Sequence, residues 1–184
     1  MAYYSEEENK LLGFKSIGQN VKISKLAAIY DHSKIEIGDN SRIDDFCVIS
    51  GHLKIGHNVH ITPQCLIAGG APGIVIDNYS TLAYGVKVFS QSDDYSGESM
   101  VNSTIPKHLK KEIFSKVIIK SNCIIGANSV VFPGVNMSEG TAVGACSLVL
   151  NDTDEWSVYV GAPAKKLKNR QKALLKLVKD YENL

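Results

Sequence analysis

Along most of this chain an aliphatic residue returns every six positions. Cut at those residues, the sequence falls into "IGQNVK", "ISKLAA", "IYDHSK", "IGDNSR", "IDDFCV", "ISGHLK", "IGHNVH" and "ITPQCL", then "IDNYST" and "LAYGVK", and later "IKSNCI", "IGANSV", "VFPGVN", "MSEGTA" and "VGACSL". The first position is Ile, Leu, Val or Met, and the fifth is compact or aliphatic. A helix would repeat its apolar residues at three and four, and a half-buried strand at two, so neither explains a period of six. Stacked coils do. Each short strand supplies one large and one small inward side chain, Gly, Asn and Asp between them make the turns, and each coil buries its apolar face only against its neighbours. Three hexads complete one triangular coil. Cys47, Cys65 and Cys123 take the small inward position, where buried free thiols fit a reducing compartment.

The 184 residues are near the size of one domain, and 20 Lys plus Arg balance 19 Asp plus Glu, so no global field favours nucleic acid or a membrane surface. No apolar run is long enough for membrane insertion. The start, "MAYYSEEENK", is acidic where a secretory signal would be basic and then apolar, and the expected location is cytoplasmic. A single domain over 1–184 is expected: an N-terminal cap over 1–16, coils over 17–154 with an extruded loop over 90–116, and a turn and C-terminal helix over 155–184. In the last segment Leu167, Leu174, Leu175 and Val178 share one face of a helix running through "KKLKNRQKALLKLVKDYENL". Helix and cap are expected to shield the ends of the coil.

The sustained hexads resemble the hexapeptide-repeat family, which implies an all-β fold, a left-handed parallel β-helix, with the hand taken from the resemblance. The closing stretch "IGANSVVFPGVNMSEGTAVGACSLVLND", followed by "YVGAPAKKLKNR", resembles the last coils of the galactoside and xenobiotic acetyltransferases within that family. The resemblance implies a homotrimer that holds acetyl-CoA, or another acyl-CoA, in a groove between subunits. It places Ala127 and Ala145 against the pantetheine arm and Lys165 and Lys168 near the nucleotide phosphates, where lysine serves as a point charge. Leu150 and Asn151 replace a Thr-Lys pair common in the group, which removes one basic contact.

The rhythm breaks at "VKVFSQSDDYSGESM" and resumes near Val117, a span too long for an ordinary connection and therefore expected to be a functional loop. Aligned with the family, Asp93 falls on the catalytic histidine, with Asp94 beside it. A carboxylate is about 2 to 3 pKa units weaker a base than imidazole, roughly 3 to 4 kcal/mol less driving force for deprotonating a sugar hydroxyl. An amine brings its own lone pair, needing only to be oriented and relieved of a proton. The substitution points to N-acylation, and related members of the family imply a nucleotide-linked amino sugar for a surface polysaccharide such as lipopolysaccharide O-antigen. Tyr84 and Ser90 are candidate hydrogen-bonding groups for the sugar. Lys107, His108, Lys110 and Lys111 are either contacts for its diphosphate or a solvated surface cluster.

His52, His57 and His60 sit outside the coil. The first two have the separation of a zinc pair in gamma-class carbonic anhydrases, but no histidine supplies the third ligand, so no metal is expected. In the bacillosamine and sialic-acid acetyltransferases a histidine base lies a coil before the loop, which leaves His52 or His60 as rival bases; His60 is kept as a substrate contact. Two other functions stay open: a sugar O-acetyltransferase, and a non-catalytic trimeric scaffold.

Overall fold

The computed structural model describes residues 2–183, and among them most of the strands lie in three sheets, parallel within the coils, that form the sides of one stack. Face one contains Ser16–Ile17, Ile35–Ile37, Leu53–Ile55, Ile74–Ile76, Val117–Ile119 and Asn136–Met137; face two runs from Lys22–Ile23 to Ala142–Val143 and on into Ser157–Val160; face three runs from Ala28–Ile29 to Leu148–Val149. The register follows the hexads. Ile37 pairs with Ile55, Ile43 with Ile61 and Ile49 with Ile67, so each residue stacks on its counterpart three hexads later. The fold is an all-β parallel solenoid with a lateral loop and one C-terminal helix, as the period of six predicts.

The large first-position side chains make the core, with Ile43, Ile49, Ile61, Ile67, Ile76, Leu82, Ile119 and Ile125 buried in columns. Each such burial contributes about 1.5–3 kcal/mol against leaving the side chain in water. Ile17 and Ile29, in the first coil, are only partly buried because they have a neighbour on one side alone. The fifth position is small for a second reason besides space. The hydroxyls of Ser41, Ser80 and Ser129 donate to the carbonyls of Gly56, Lys120 and Gly144, and accept from the N–H groups of Val59, Cys123 and Ser147. These buried polar groups are therefore satisfied in both directions. Cys47, Cys65 and Cys123 point inward as expected, and burial pushes the Cys123 thiol up to about 12. Between faces one and two the chain turns through Asn20, Asn40, Asn58 and Asn122, all at positive φ, a region that asparagine tolerates better than most residues.

The ends depart from expectation in part. At the start, helix α1 (Glu6–Leu11) opens with a capping box between Ser5 and Glu8. Its Asn9 amide donates to the Val21 carbonyl, and the Tyr4 N–H donates to Ile23, covering the first coil as a cap should. At the other end the shield is not the helix. Strand Ser157–Val160 extends face two by one more rung, and Lys165–Asn169 folds back on it antiparallel, so residues 155–169 are largely β rather than turn and helix. Trp156 lies over Gly140, with Arg170 stacked on its ring and bonded to the carbonyls of Asn122 and Gly140. Helix α2 covers only Leu174–Glu182, and Leu167 belongs to the strand before it. The helix docks on the side of the stack: Asn58 donates to the Tyr181 hydroxyl, and the Tyr79 hydroxyl donates to Glu182. A strand won over the predicted helix because the exposed edge of face two offered backbone partners.

Candidate active site

The loop leaves the stack at the corner between face three and face one, after Lys87–Phe89 and before Val117–Ile119. Its two limbs pair antiparallel, Gln91 with Phe114 and Ser92 with Ile113, which holds the base rigid. Ser90 fastens that base. Its buried hydroxyl donates to the carbonyls of Gly69 at 2.5 Å and Ala68 at 3.2 Å, while its own carbonyl accepts from the Ser115 N–H. The residue expected to touch a sugar is thus spent on anchoring the loop.

Beside the base lies a cleft of about 400 Å³, floored by Ser50, Ala68 and Phe89 on face three and walled by Asp93 and Glu112 from the two limbs. Among the described residues Asp93 Oδ2 accepts a single long bond, 3.4 Å, from the Asn102 N–H, which leaves its carboxylate available to a ligand. Asp94 is differently employed. It accepts from the Ser96 N–H at 2.8 Å, the Ser96 hydroxyl at 2.9 Å and the Ser99 hydroxyl at 2.9 Å, and these bonds hold its carboxyl down to about 2. Such a group stays charged at any working pH and takes up a proton poorly. The two adjacent aspartates therefore divide: one lines the cleft, and the other shapes the loop beyond it.

The lysines of the loop also separate. Lys111 pairs with Glu98 at 3.1 Å on the surface, whereas the Lys110 side chain is only 6% exposed and reaches Glu112 at 3.2 Å. Lys107 and His108 lie on an exposed turn. Sequence reasoning missed Phe89 and Glu112, and named Lys110 only as a diphosphate contact or part of a surface cluster, because their roles depend on how the limbs pair. The only signal was the charge reversal in "LKKEIF".

A second feature occupies the corner between faces two and three. There the Asn128 N–H donates to the Tyr84 carbonyl and the Cys146 N–H donates to the Ala127 carbonyl, so Tyr84, Ala127 and Ala145 rise along one edge in successive coils. Small side chains at Ala127 and Ala145 leave a ledge, and Tyr84 stands exposed at its lower end, with the width of face three between it and the cleft. Lys165 and Lys168 lie past the upper end, opposite Val160 and Val158. Residues three apart on a regular strand point to opposite faces. A bulge between Val158 and Tyr159 on the ladder shifts the register and sets both lysines on the same side.

The histidines are elsewhere. His60 Nε2 is 2.9 Å from Asp44 on the outer surface of face two, where Asp44 also accepts from Arg42 at 2.6 Å and Tyr3 at 2.9 Å. Burial opposes ionisation of Asp44, but these three partners prevail and its carboxyl lies below the usual range. The structure does not bring His60 to the cleft. His52 shares the loop's corner, with Nδ1 3.0 Å from the Gly70 carbonyl, but lines a separate hollow beside Lys54 and Lys116 on face one. Among the described residues no three His, Cys, Asp or Glu side chains gather as a metal-holding group, and no helix is long and apolar enough to cross a membrane.

A triangular parallel solenoid with an ejected acidic loop and a ledge of small residues defines a transferase of the hexapeptide-repeat class. Comparison with known proteins agrees. Residues 34–69 match the family model described as bacterial transferase hexapeptide (six repeats). The dTDP-4-amino-4,6-dideoxy-D-glucose acyltransferase of Escherichia coli is 41% identical over 180 residues, 96% of this chain and 93% of that protein. AntD, an N-acyltransferase from Bacillus cereus solved with dTDP and 3-hydroxybutyryl-CoA, is 42% identical, with a TM-score of 0.97 over 98% of this chain and 96% of its own. An aspartate-to-asparagine variant of AntD, solved with dTDP and coenzyme A, superposes with a TM-score of 0.98 at 41% identity, over 100% of this chain and 99% of that one. The chain belongs to the hexapeptide-repeat acyltransferases.

Proposed function

We propose that this protein transfers an acyl group from coenzyme A to the amino group of a dTDP-linked 4-amino-4,6-dideoxy sugar. The reading is supported by the full-length likeness to an acyltransferase of that sugar together with a cleft walled by carboxylates in place of a histidine base. The observation that carries it is the position of Asp93, whose carboxylate lines the cleft with little else to bind.

In the mechanism this suggests, Asp93 draws the ammonium form of the sugar into the cleft and accepts or relays one proton as the nitrogen becomes neutral. Asp94 adds negative charge nearby and keeps the loop in shape. The nitrogen lone pair attacks the thioester carbonyl, a C–N bond forms, the C–S bond breaks, and the thiolate of CoA takes up the proton that the nitrogen gives up. Ala127 and Ala145 give the pantetheine arm access to backbone groups, and Lys165 and Lys168 supply charge for the phosphates. Tyr84, at the foot of the ledge, is positioned to meet the cofactor side rather than the sugar.

Cleft and ledge occupy different corners of one chain. A homotrimer that sets the cleft of one subunit against the ledge of the next would bring amine and thioester together, and we infer that assembly for this protein. Buried free thiols and the need for CoA thioesters favour a cytoplasmic enzyme. Its product would serve a surface polysaccharide such as O-antigen.

Free-thiol release from acetyl-CoA and 3-hydroxybutyryl-CoA, measured with dTDP-linked amino sugars and their hydroxyl counterparts, tests the reading. Turnover with the amino sugars alone is expected. Turnover confined to hydroxyl sugars would replace it with O-acylation, and failure to bind CoA would leave a scaffold.

A further inference from the structure

The limbs of the loop pair Gln91 with Phe114 and Ser92 with Ile113. The paired rungs end there, and the next residue on each limb, Asp93 on one and Glu112 on the other, lines the same cleft. Like charges brought together at the end of an antiparallel pair work against it. A surface loop with no ligand to bind would gain by avoiding such an arrangement. Here it is reinforced: the Lys110 side chain, 6% exposed, reaches Glu112 at 3.2 Å, and the Glu112 side chain is itself only 19% exposed. The lysine approaches from the loop and is absent from the lining of the cleft, so it fixes the carboxylate without occupying the space between the acids. Asp94, one residue along, is bonded to Ser96 and Ser99 and is likewise absent from the lining.

We infer that Glu112 is a substrate-binding carboxylate of the reaction, and that Asp93 and Glu112 together form a two-sided seat for the ammonium group of the acceptor. This rests on the proposed N-acylation and deepens it. A cation between the two carboxylates relieves their repulsion and accepts hydrogen bonds from neither; it donates to both, so its orientation is set before it loses a proton. A hydroxyl in its place has one proton to donate and no charge, and leaves one carboxylate without a partner. The cleft thus discriminates by charge, in addition to the intrinsic reactivity of the nitrogen.

The test compares Glu112→Gln and Glu112→Asp with wild type, measuring kcat and KM for the dTDP-linked amino sugar, KM for acyl-CoA, and the inhibition constant of the hydroxyl counterpart as a competitive ligand. Thermal melting establishes that each variant is folded. For Glu112→Gln the expected result is a KM for the amino sugar raised about tenfold, with the inhibition constant of the hydroxyl counterpart and the KM for acyl-CoA within twofold of wild type. Glu112→Asp should recover at least part of the loss. Unchanged kinetics with the amino sugar in Glu112→Gln would overturn the inference, as would equal weakening of amino and hydroxyl ligands, the result of a merely structural role. If Glu112→Gln fails to fold, Glu112→Asp decides by the same two ratios. Absence of wild-type turnover with every amino sugar would instead refute the substrate reading beneath it.

Discussion

The coil stack and the ejected loop are built on opposite principles. In the stack most residues repeat the environment of their counterparts three hexads away, the one buried charge described, Asp44, is held by three partners, and buried hydroxyls such as that of Ser41 find partners in both directions. In the loop nothing repeats, two carboxylates line one cleft, and the bonds are local ones such as Asp94 with Ser96 and Ser99. The contrast shows where stability and chemistry reside. A redundant scaffold tolerates a segment whose charges are arranged for a ligand rather than for folding, because the loop's base is fastened by Ser90 and two rungs of sheet.

Substitutions that touch one region and spare the other sharpen this comparison. The largest effect is expected in the stack: Ile67→Ala, in a fully buried column, should cost about 2–5 kcal/mol, whereas Tyr95→Ala, 84% exposed in the loop, should stay within about 0.5 kcal/mol. Equal losses in a denaturant titration would break the comparison. Next, Asp93→Asn should lower kcat/KM about a hundredfold, within the range for losing a proton-transfer group, with an unchanged melting temperature and an acyl-CoA KM within twofold. Joint replacement of Lys165 and Lys168 by alanine should raise the KM for acyl-CoA about tenfold, the scale of exposed charge contacts summed over two lysines, with kcat preserved.

The smallest effects are in titration. Hydrogen bonds hold Asp94 below its ordinary value, to about 2, so its contribution to loop order is present above about pH 4 and lost as the pH falls toward that lower value. Protease nicking within 95–111 should therefore rise on acidification of the folded protein before the stack unfolds. Tyr79 moves the other way. Burial, with help from Glu182, pushes its hydroxyl up to about 12, so docking of α2 is complete below about pH 10 and weakens above it. Tyrosine absorbance together with hydrogen exchange in Leu174–Glu182 would register both steps, and exchange that ignores pH there would refute the coupling.

How much of this the sequence disclosed follows the same division. The period of six gave the three faces, the inward cysteines and the register itself, because each hexad meets the same neighbours whatever the rest of the chain does. It failed where neighbours change. At Lys165–Asn169 helical propensity lost to the open edge of face two, a tertiary effect invisible in "KKLKN". In the loop, Asp93 and Asp94 were readable as unusual, but only the fold separates their tasks. Ser90 looked like a sugar ligand and anchors the loop, while Glu112 was hidden among lysines until the fold set it in the same cleft as Asp93. His60, attractive as an isolated histidine, is engaged by Asp44, sixteen positions earlier in sequence and adjacent in space.

The central claim is that the acceptor nitrogen is received in the cleft at the base of the loop. A crystal structure of the protein with CoA and a dTDP-linked 4-amino-4,6-dideoxy sugar tests it most directly. The account predicts the sugar nitrogen within hydrogen-bonding distance of the Asp93 carboxylate, over Phe89, with the CoA sulfur approaching from the Ala127 and Ala145 ledge of a neighbouring subunit. A nitrogen bound on face two beside His60, or beside His52 on face one, with the cleft left to solvent, would contradict it.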